Sequence, residues 1–156
     1  MGEKGKKARA FFEQGYNCCQ SVAAAYAEEM GLEQTEALRL ASAFGGGFGR
    51  LREVCGTVSG MAMVLGAVEG YVRPEDREGK KLLYARMQEL AGKFRAENGS
   101  IVCRDLLGTD GASTDPNPSQ RTQEYYARRP CAELVEYAAD LLESQLFSPS
   151  EGEKDV

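Results

Sequence analysis

The sequence predicts an all-α fold, a bundle of about five or six helices, and three observations carry that expectation. Apolar residues recur at spacings of three and four along most of the chain, as a single buried helix face requires. No stretch alternates with period two, and Val and Ile are scarce, so strands find no support. Gly31, Asn98-Gly99 and Gly108 fall where periodic stretches end, the usual place for a left-handed helix stop. The chain has 156 residues, 42% of them hydrophobic, enough for one real core. One helical domain over 1–147 and a polar tail over 148–156 are therefore expected.

The elements follow in order. A first helix is expected from about Lys4 to Met30, with Phe11, Cys18, Val22, Ala25 and Glu29 along one line and Phe12, Cys19 and Tyr26 beside it. A second begins near Thr35, carries Ala37, Leu40, Ala41 and Phe44 inward, and ends in three glycines. A third runs from Cys55 to about Gly70. It is almost free of charge, so it is expected to be the central, most buried element. Gly56 and Gly60 lie four apart on its one face, a spacing that lets another helix approach closely. Pro74 opens a fourth helix to about Asn98, striped by Leu83, Met87, Leu90 and Phe94 and widened by Tyr84 and Ala91. A short helix with Ile101, Cys103, Leu106 and Leu107 follows the N-cap candidate Ser100. Residues 109–120, with two prolines and a glycine, form the one long loop. A last helix runs from Pro130 to about Phe147, with Leu134, Ala138, Leu141 and Leu142 inward.

Charge narrows the function classes. The net charge is -5 and the pI about 5.0, which argues against a broad basic face for nucleic acid or anionic membrane. The basic residues Lys4, Lys6, Lys7 and Arg9 read as a solvated helical turn. The longest apolar run, Met61 to Val68, is too short to span a bilayer. Met1-Gly2-Glu3-Lys4 leads into a polar stretch rather than a secretory signal, so a reducing cytoplasm is the expected setting. Permanent disulfides are rare there, and clustered cysteines are more often redox-active or metal-bound. Five cysteines, an odd number, also fit a simple disulfide framework poorly.

Four of them, Cys18, Cys55, Cys103 and Cys131, are spread through a chain without histidine. Three stand where a helix is expected to start: Cys55 after the glycine-rich run, Cys103 three residues after Ser100, and Cys131 directly after Pro130. A helix N-terminus and a nearby guanidinium both favour thiolate, the nucleophilic and metal-binding form. Arg50, Arg52, Arg104, Arg128 and Arg129 flank these positions. The plainer account is that the arginines sit on solvated turns and the cysteines pack as small hydrophobes, which suits Cys19 best. The run Phe44-Gly45-Gly46-Gly47-Phe48-Gly49 lacks the Gly-Lys-Ser/Thr ending of a nucleotide P-loop. Its glycines either turn the chain sharply, the preferred reading, or present N–H groups to an anion, a thiolate or a cluster sulfide. Without histidine, Ser-His and Cys-His nucleophilic catalysis are excluded, and the Glu-x-x-His pairs of a di-iron bundle are absent. Four thiolates suit zinc or an iron–sulfur cluster, although no Cys-x-x-Cys pair is present.

The order Cys18, Cys55-Gly56-Thr57-Val58-Ser59-Gly60, Cys103, Cys131 resembles the C_GCAxxG_C_C family of redox-active proteins. The flanks Gly15-Tyr16-Asn17-Cys18, Phe44 to Gly47, Val54-Cys55-Gly56 and Cys103 to Gly108 carry the likeness over roughly Phe11 to Leu146. Carried over, the family's four cysteines are Cys18, Cys55, Cys103 and Cys131, and Gly56 and Gly60 match its glycines. Thr57 stands where alanine is typical and brings a hydroxyl near Cys55. Cys19 stands where alanine usually follows Asn-Cys, which leaves open which of Cys18 and Cys19 faces the site.

The expected function is thiol–disulfide or electron-transfer chemistry, that of a thiol-dependent oxidoreductase. Cys55 is the expected nucleophile, Cys103 or Cys131 the resolving thiol, and Cys18 completes the site. Gly46, Gly47, Gly56 and Thr57 are the expected cofactor-binding positions. Two alternatives stay open. In one, the same four cysteines ligate zinc or an iron–sulfur cluster. In the other, the bundle is a structural adaptor. The expected partners are a redox protein or molecule of unstated identity and a second copy of the chain, with no nucleic acid and no membrane.

Overall fold

The computed structural model describes residues 2–148. All of the expected tail except Ser148 lies outside them. Among the described residues eight α-helices form: α1 (Glu3–Glu13), α2 (Cys18–Ala25), α3 (Gln34–Ala41), α4 (Gly56–Glu69), α5 (Arg77–Asn98), α6 (Cys103–Leu107), α7 (Gln123–Arg128) and α8 (Cys131–Leu142). The last continues as a π turn over Glu143–Phe147. No strand is present among the described residues, and one isolated antiparallel bridge joins Val54 to Val102. The all-α class is therefore observed, with more helices than the five or six expected.

Two local causes account for the difference. The long first helix is broken. Gly15 adopts φ 109°, and Asn17 then starts a new helix as a full capping box. The Asn17 side-chain Oδ1 accepts from the Gln20 N–H at 2.9 Å, and the Gln20 side-chain Oε1 accepts from the Asn17 N–H at 3.0 Å. The second cause is α7, nucleated by Thr122, whose hydroxyl accepts from the Tyr125 N–H at 3.1 Å. Pro74 lies in the turn before α5, which starts at Arg77 with Asp76 as its cap.

The N-terminus of α1 is capped from a remote part of the chain. Asp140 Oδ1 on α8 accepts from Gly2 N at 3.1 Å and Gly5 N at 3.0 Å, placing a carboxylate at the positive end of the helix. Of the basic residues of this turn, Lys6 and Lys7 are exposed as expected, whereas Lys4 and Arg9 are part-buried and paired. Lys4 pairs with Glu29 at 2.6 Å, and Arg9 with Glu13 and Glu136 at 3.0 and 2.8 Å.

α1 packs on α8 and α2, and α2 also packs on α4 and α3. The main core gathers Phe12, Val22, Tyr26, Met61, Val64, Leu65, Leu90, Phe94, Val135 and Leu142. Tyr26 satisfies its hydroxyl inside this core by donating to Ala139 O at 2.6 Å. In α4 the N-terminal part is buried, whereas Ala62 and the last turn from Gly66 are exposed. A Cβ built at Gly60 would lie 2.8 Å from Val22 Cβ, and one at Gly56 3.1 Å from Cys18 Cβ. These two glycines let α2 lie close against the start of α4. Cys19 belongs to a separate small cluster with Ala23 and Ala41.

Candidate functional site: a four-thiol cavity

The glycine-rich run forms one wall of the site. From Gly46 to Arg52, every residue except Leu51 has φ between 60 and 75°. Gly45–Phe48 closes one turn, but Gly46 (64°, 29°) and Gly47 (71°, 50°) are left-handed within it. Phe48, Arg50 and Arg52 adopt this hand with a Cβ, which costs roughly 1–2 kcal/mol each. Backbone bonds hold the segment: Gly49 N to Ala43 O at 2.8 Å, Arg52 N to Gly46 O at 3.1 Å and Glu53 N to Gly47 O at 2.8 Å. The preferred reading of the glycines, a sharp turn, is what they form. Gly47 also makes room: a Cβ there would lie 2.5 Å from Cys103 Cβ.

The chain leaves this segment through the Val54–Val102 bridge. Cys55 N donates to Ile101 O at 2.8 Å, and Cys103 N donates to Glu53 O at 2.6 Å. Two antiparallel backbones thus place Cys55 and Cys103 diagonally across one bridge, each at the start of a helix. Cys55 is the N-cap of α4 and Cys103 the first residue of α6. Cys131 is the first residue of α8. Cys18 is the first residue of α2, because the chain breaks at Gly15. All four thiols therefore sit at helix starts, one more than the sequence suggested.

All four line one cavity of about 400 Å³. Gly46, Gly47 and Gly56 line it too; Thr57 stands behind Cys55, its Oγ1 3.1 Å from the sulfur. Cys19 is fully buried elsewhere, its sulfur 3.7 Å from Met63 Sδ, so Cys18 is the member of the adjacent pair that faces the site. The five cysteines are free thiols.

Arginines supply the charge. Arg50, Arg52, Arg121 and Arg129 line the cavity, and none of its lining residues is acidic. Arg52 is 3% exposed; its Nη1 lies 3.8 Å from Cys103 Sγ, and its Nε donates to Ser113 O at 3.0 Å. Its Nη2 is buried without a hydrogen-bond partner. Arg121 donates to Phe12 O and Tyr16 O at 3.0 and 2.9 Å and lies over the Phe12 ring, 4.3 Å from its centroid. Arg129 covers the Tyr125 ring at 4.6 Å. Of the flanking arginines singled out in the sequence, Arg104 instead pairs with Glu53 at 2.7 Å, and Arg128 with Asp110 at 3.0 Å. Arg121 and Tyr125 were not legible as site residues: they reach the cavity only because the loop and α7 fold back over it.

That loop, 112–120, is exposed over most of its length. Arg50 Nε donates to Asp115 O at 2.5 Å, Arg52 Nε reaches Ser113 O, and Arg129 Nη2 lies 3.4 Å from Ser119 Oγ. Pro116, Pro118 and Ser119 line the cavity. The arginines that charge the site also fasten the loop across it.

The thiols are electrostatically unequal. Hydrogen bonding from Cys18 holds Cys131 below the ordinary thiol range, against the effect of burial and with help from Arg129, Arg121 and Arg52. The same interaction, with burial, drives Cys18 well above that range. Burial pushes Cys55 up to about 11, with Thr57 opposing, and raises Cys103 against the pull of Arg52. The sequence pointed to Cys55 as the most nucleophilic sulfur; its burial outweighs the helix start, and Cys131 is the thiol held low.

No group of three or more His, Cys, Asp or Glu side chains among the described residues stands close enough together to hold a metal ion. The alternative of zinc or iron–sulfur ligation by the four cysteines finds no preassembled ligand group among the described residues. No helix among the described residues is long and apolar enough to cross a membrane.

Fold and site together define an all-helical protein whose four helix-start thiols share an arginine-lined cavity. The family model described as "Putative redox-active protein (C_GCAxxG_C_C)" matches residues 16–145, and the chain belongs to that family. No curated protein and no solved structure matches the chain.

Proposed function

We propose that the protein is a thiol-dependent oxidoreductase in which Cys131 attacks and Cys18 resolves. The observation that carries this reading is that Cys18 and Cys131 line one cavity with Arg52, Arg121 and Arg129, where Cys131 is the thiol held below the ordinary range; Cys55 and Cys103 line it as well. The Cys131 thiolate attacks one sulfur of a substrate disulfide RS–SR. The S–S bond breaks, the first RS⁻ leaves and takes up a proton, and a Cys131–S–SR mixed disulfide forms. Cys18, having lost its proton to the medium or to that thiolate, then attacks Cys131 Sγ. The second RS⁻ leaves, and a Cys18–Cys131 disulfide remains. Two electrons pass from two protein thiols to the substrate, which departs as two RSH. The positive charges of Arg129, Arg121 and Arg52 stabilise the attacking thiolate. Cys55, kept protonated by burial, and Cys103, beside Arg52, line the same cavity.

The test is alkylation across pH, read by peptide mapping, followed by mild oxidation. Cys131 is expected to label below about pH 8, near the free-thiol pKa, before Cys55 and Cys18. Oxidation is expected to yield the Cys18–Cys131 disulfide. Four thiols equally inert below that pH, or oxidation that pairs other cysteines, would overturn the assignment. Stoichiometric metal with visible absorption after anaerobic purification would replace it with ligation.

A further inference from the structure

We propose that the cavity is built to receive a negatively charged small molecule on the Arg52 guanidinium, and that its substrates are anionic disulfides. The second part rests on the oxidoreductase reading above; the first does not.

A buried donor left without an acceptor is costly, more so when charged, and such groups in native structures call for an explanation. Arg52 is 3% exposed, spends Nε on Ser113 O and presents Nη1 to Cys103, yet Nη2 has no partner. It lines a cavity with three further arginines and no acidic residue. The chain as a whole carries a net charge of -5, so this positive site opposes the overall sign of the molecule. Guanidinium is the group suited to carboxylate and phosphate, because its fork donates two parallel hydrogen bonds. Arg121 is committed to Phe12 O and Tyr16 O, and Arg50 to Asp115 O, whereas Arg52 Nη2 is the one buried guanidinium nitrogen without an acceptor among the described residues. The volume of about 400 Å³ fits a small ligand rather than a protein segment. An anionic group held at Arg52 occupies the cavity that Cys131 lines, and therefore carries its own disulfide toward that sulfur. The step balances as before: two protein thiols become one disulfide and RS–SR becomes two RSH, each keeping its anionic group.

A charge series of small symmetric disulfides tests this on the reduced full chain: dithiodipropionate, with two carboxylates, neutral hydroxyethyl disulfide, and cystamine, with two ammonium groups. Rates of protein thiol loss are divided by each reagent's rate with mercaptoethanol. The expected order is dithiodipropionate, then hydroxyethyl disulfide, then cystamine, with about tenfold between the first two, the lower end of what one hydrogen bond to a charged group supplies. Inorganic phosphate is expected to slow only the anionic reagent. Arg52→Gln should erase the preference and Arg52→Lys retain part of it. Cystamine reacting as fast as dithiodipropionate, the order the net charge alone favours, would overturn the proposal, as would indifference to phosphate. The phosphate arm uses the wild-type chain, so it decides even where Arg52→Gln does not fold. If no disulfide oxidises the thiols, the oxidoreductase reading fails by itself. Phosphate binding measured by calorimetry then decides the anion site: binding supports it and its absence sinks it.

Discussion

Replacing Gly47 by alanine puts the packing of the cavity wall to a quantitative test. The new Cβ would stand 2.5 Å from Cys103 Cβ and 2.8 Å from both Arg52 Cα and Glu53 N. None of these is the free end of a flexible side chain, so the backbone itself must shift. Such overpacking typically costs about 1–3 kcal/mol. The left-handed φ of 71° adds roughly 1–2 kcal/mol for a residue with a Cβ. The expected loss is therefore about 2–5 kcal/mol. With a urea slope of about 2 kcal/mol per molar, the unfolding midpoint should fall by about 1–2.5 M. Gly92 provides the control. It lies inside α5 with nothing within 4 Å of a built Cβ, so Gly92→Ala should raise stability by about 0.5–1 kcal/mol. The assay is urea unfolding followed by circular dichroism on both variants. A midpoint for Gly47→Ala within about 0.3 M of wild type would refute the claim that Gly47 is required by its contact with Cys103 and by its hand.

Two other outcomes are expected. Burial holds the Cys55 pKa at about 11, against 9.0 for a free thiol, so between those values the unfolded chain has lost a proton that the folded chain keeps. Stability present below about pH 9 should therefore decline as pH rises toward 11, by roughly 1–3 kcal/mol from this group. Urea midpoints against pH should slope less steeply in Cys55→Ala; an identical slope would show that Cys55 does not contribute. Asn17→Ala removes the acceptor for Gln20 N and the donor to Ser42 O, and should cost about 1 kcal/mol. An unchanged unfolding midpoint would show that the cap does not secure the start of α2.

The helical class was legible because it rests on periodicity, which survives without knowledge of tertiary contacts. The stripe Leu90 and Phe94 is buried, as its spacing requires, and so are Leu134, Ala138, Leu141 and Leu142. Heptad-like spacing across residues 11–29 misled, because apolar periodicity does not register a backbone break. The signal that marks the break was present in Gly15 and in the Asn17-x-x-Gln20 pattern, a short-range hydrogen-bond motif. Three helix-start thiols were readable from Ser100, Pro130 and the glycine run; that four thiols share one cavity was not. Their convergence depends on the approach of α2 to α4 over Gly56 and Gly60 and on the Val54–Val102 bridge. The order of thiol acidity was also out of reach, since burial and the folded positions of Arg121 and Arg129 decide it.

The reversed hand of residues 46–52 carries a consequence of its own. At the glycine positions of this wall, stereochemistry rather than polarity selects the residue. At Gly49, with φ 60° and ψ 35°, an L-amino acid is penalised, whereas its mirror image finds its own preferred basin. A semisynthetic copy bearing D-alanine there would be held in shape more firmly than the natural chain, because it gives up less conformational freedom on folding.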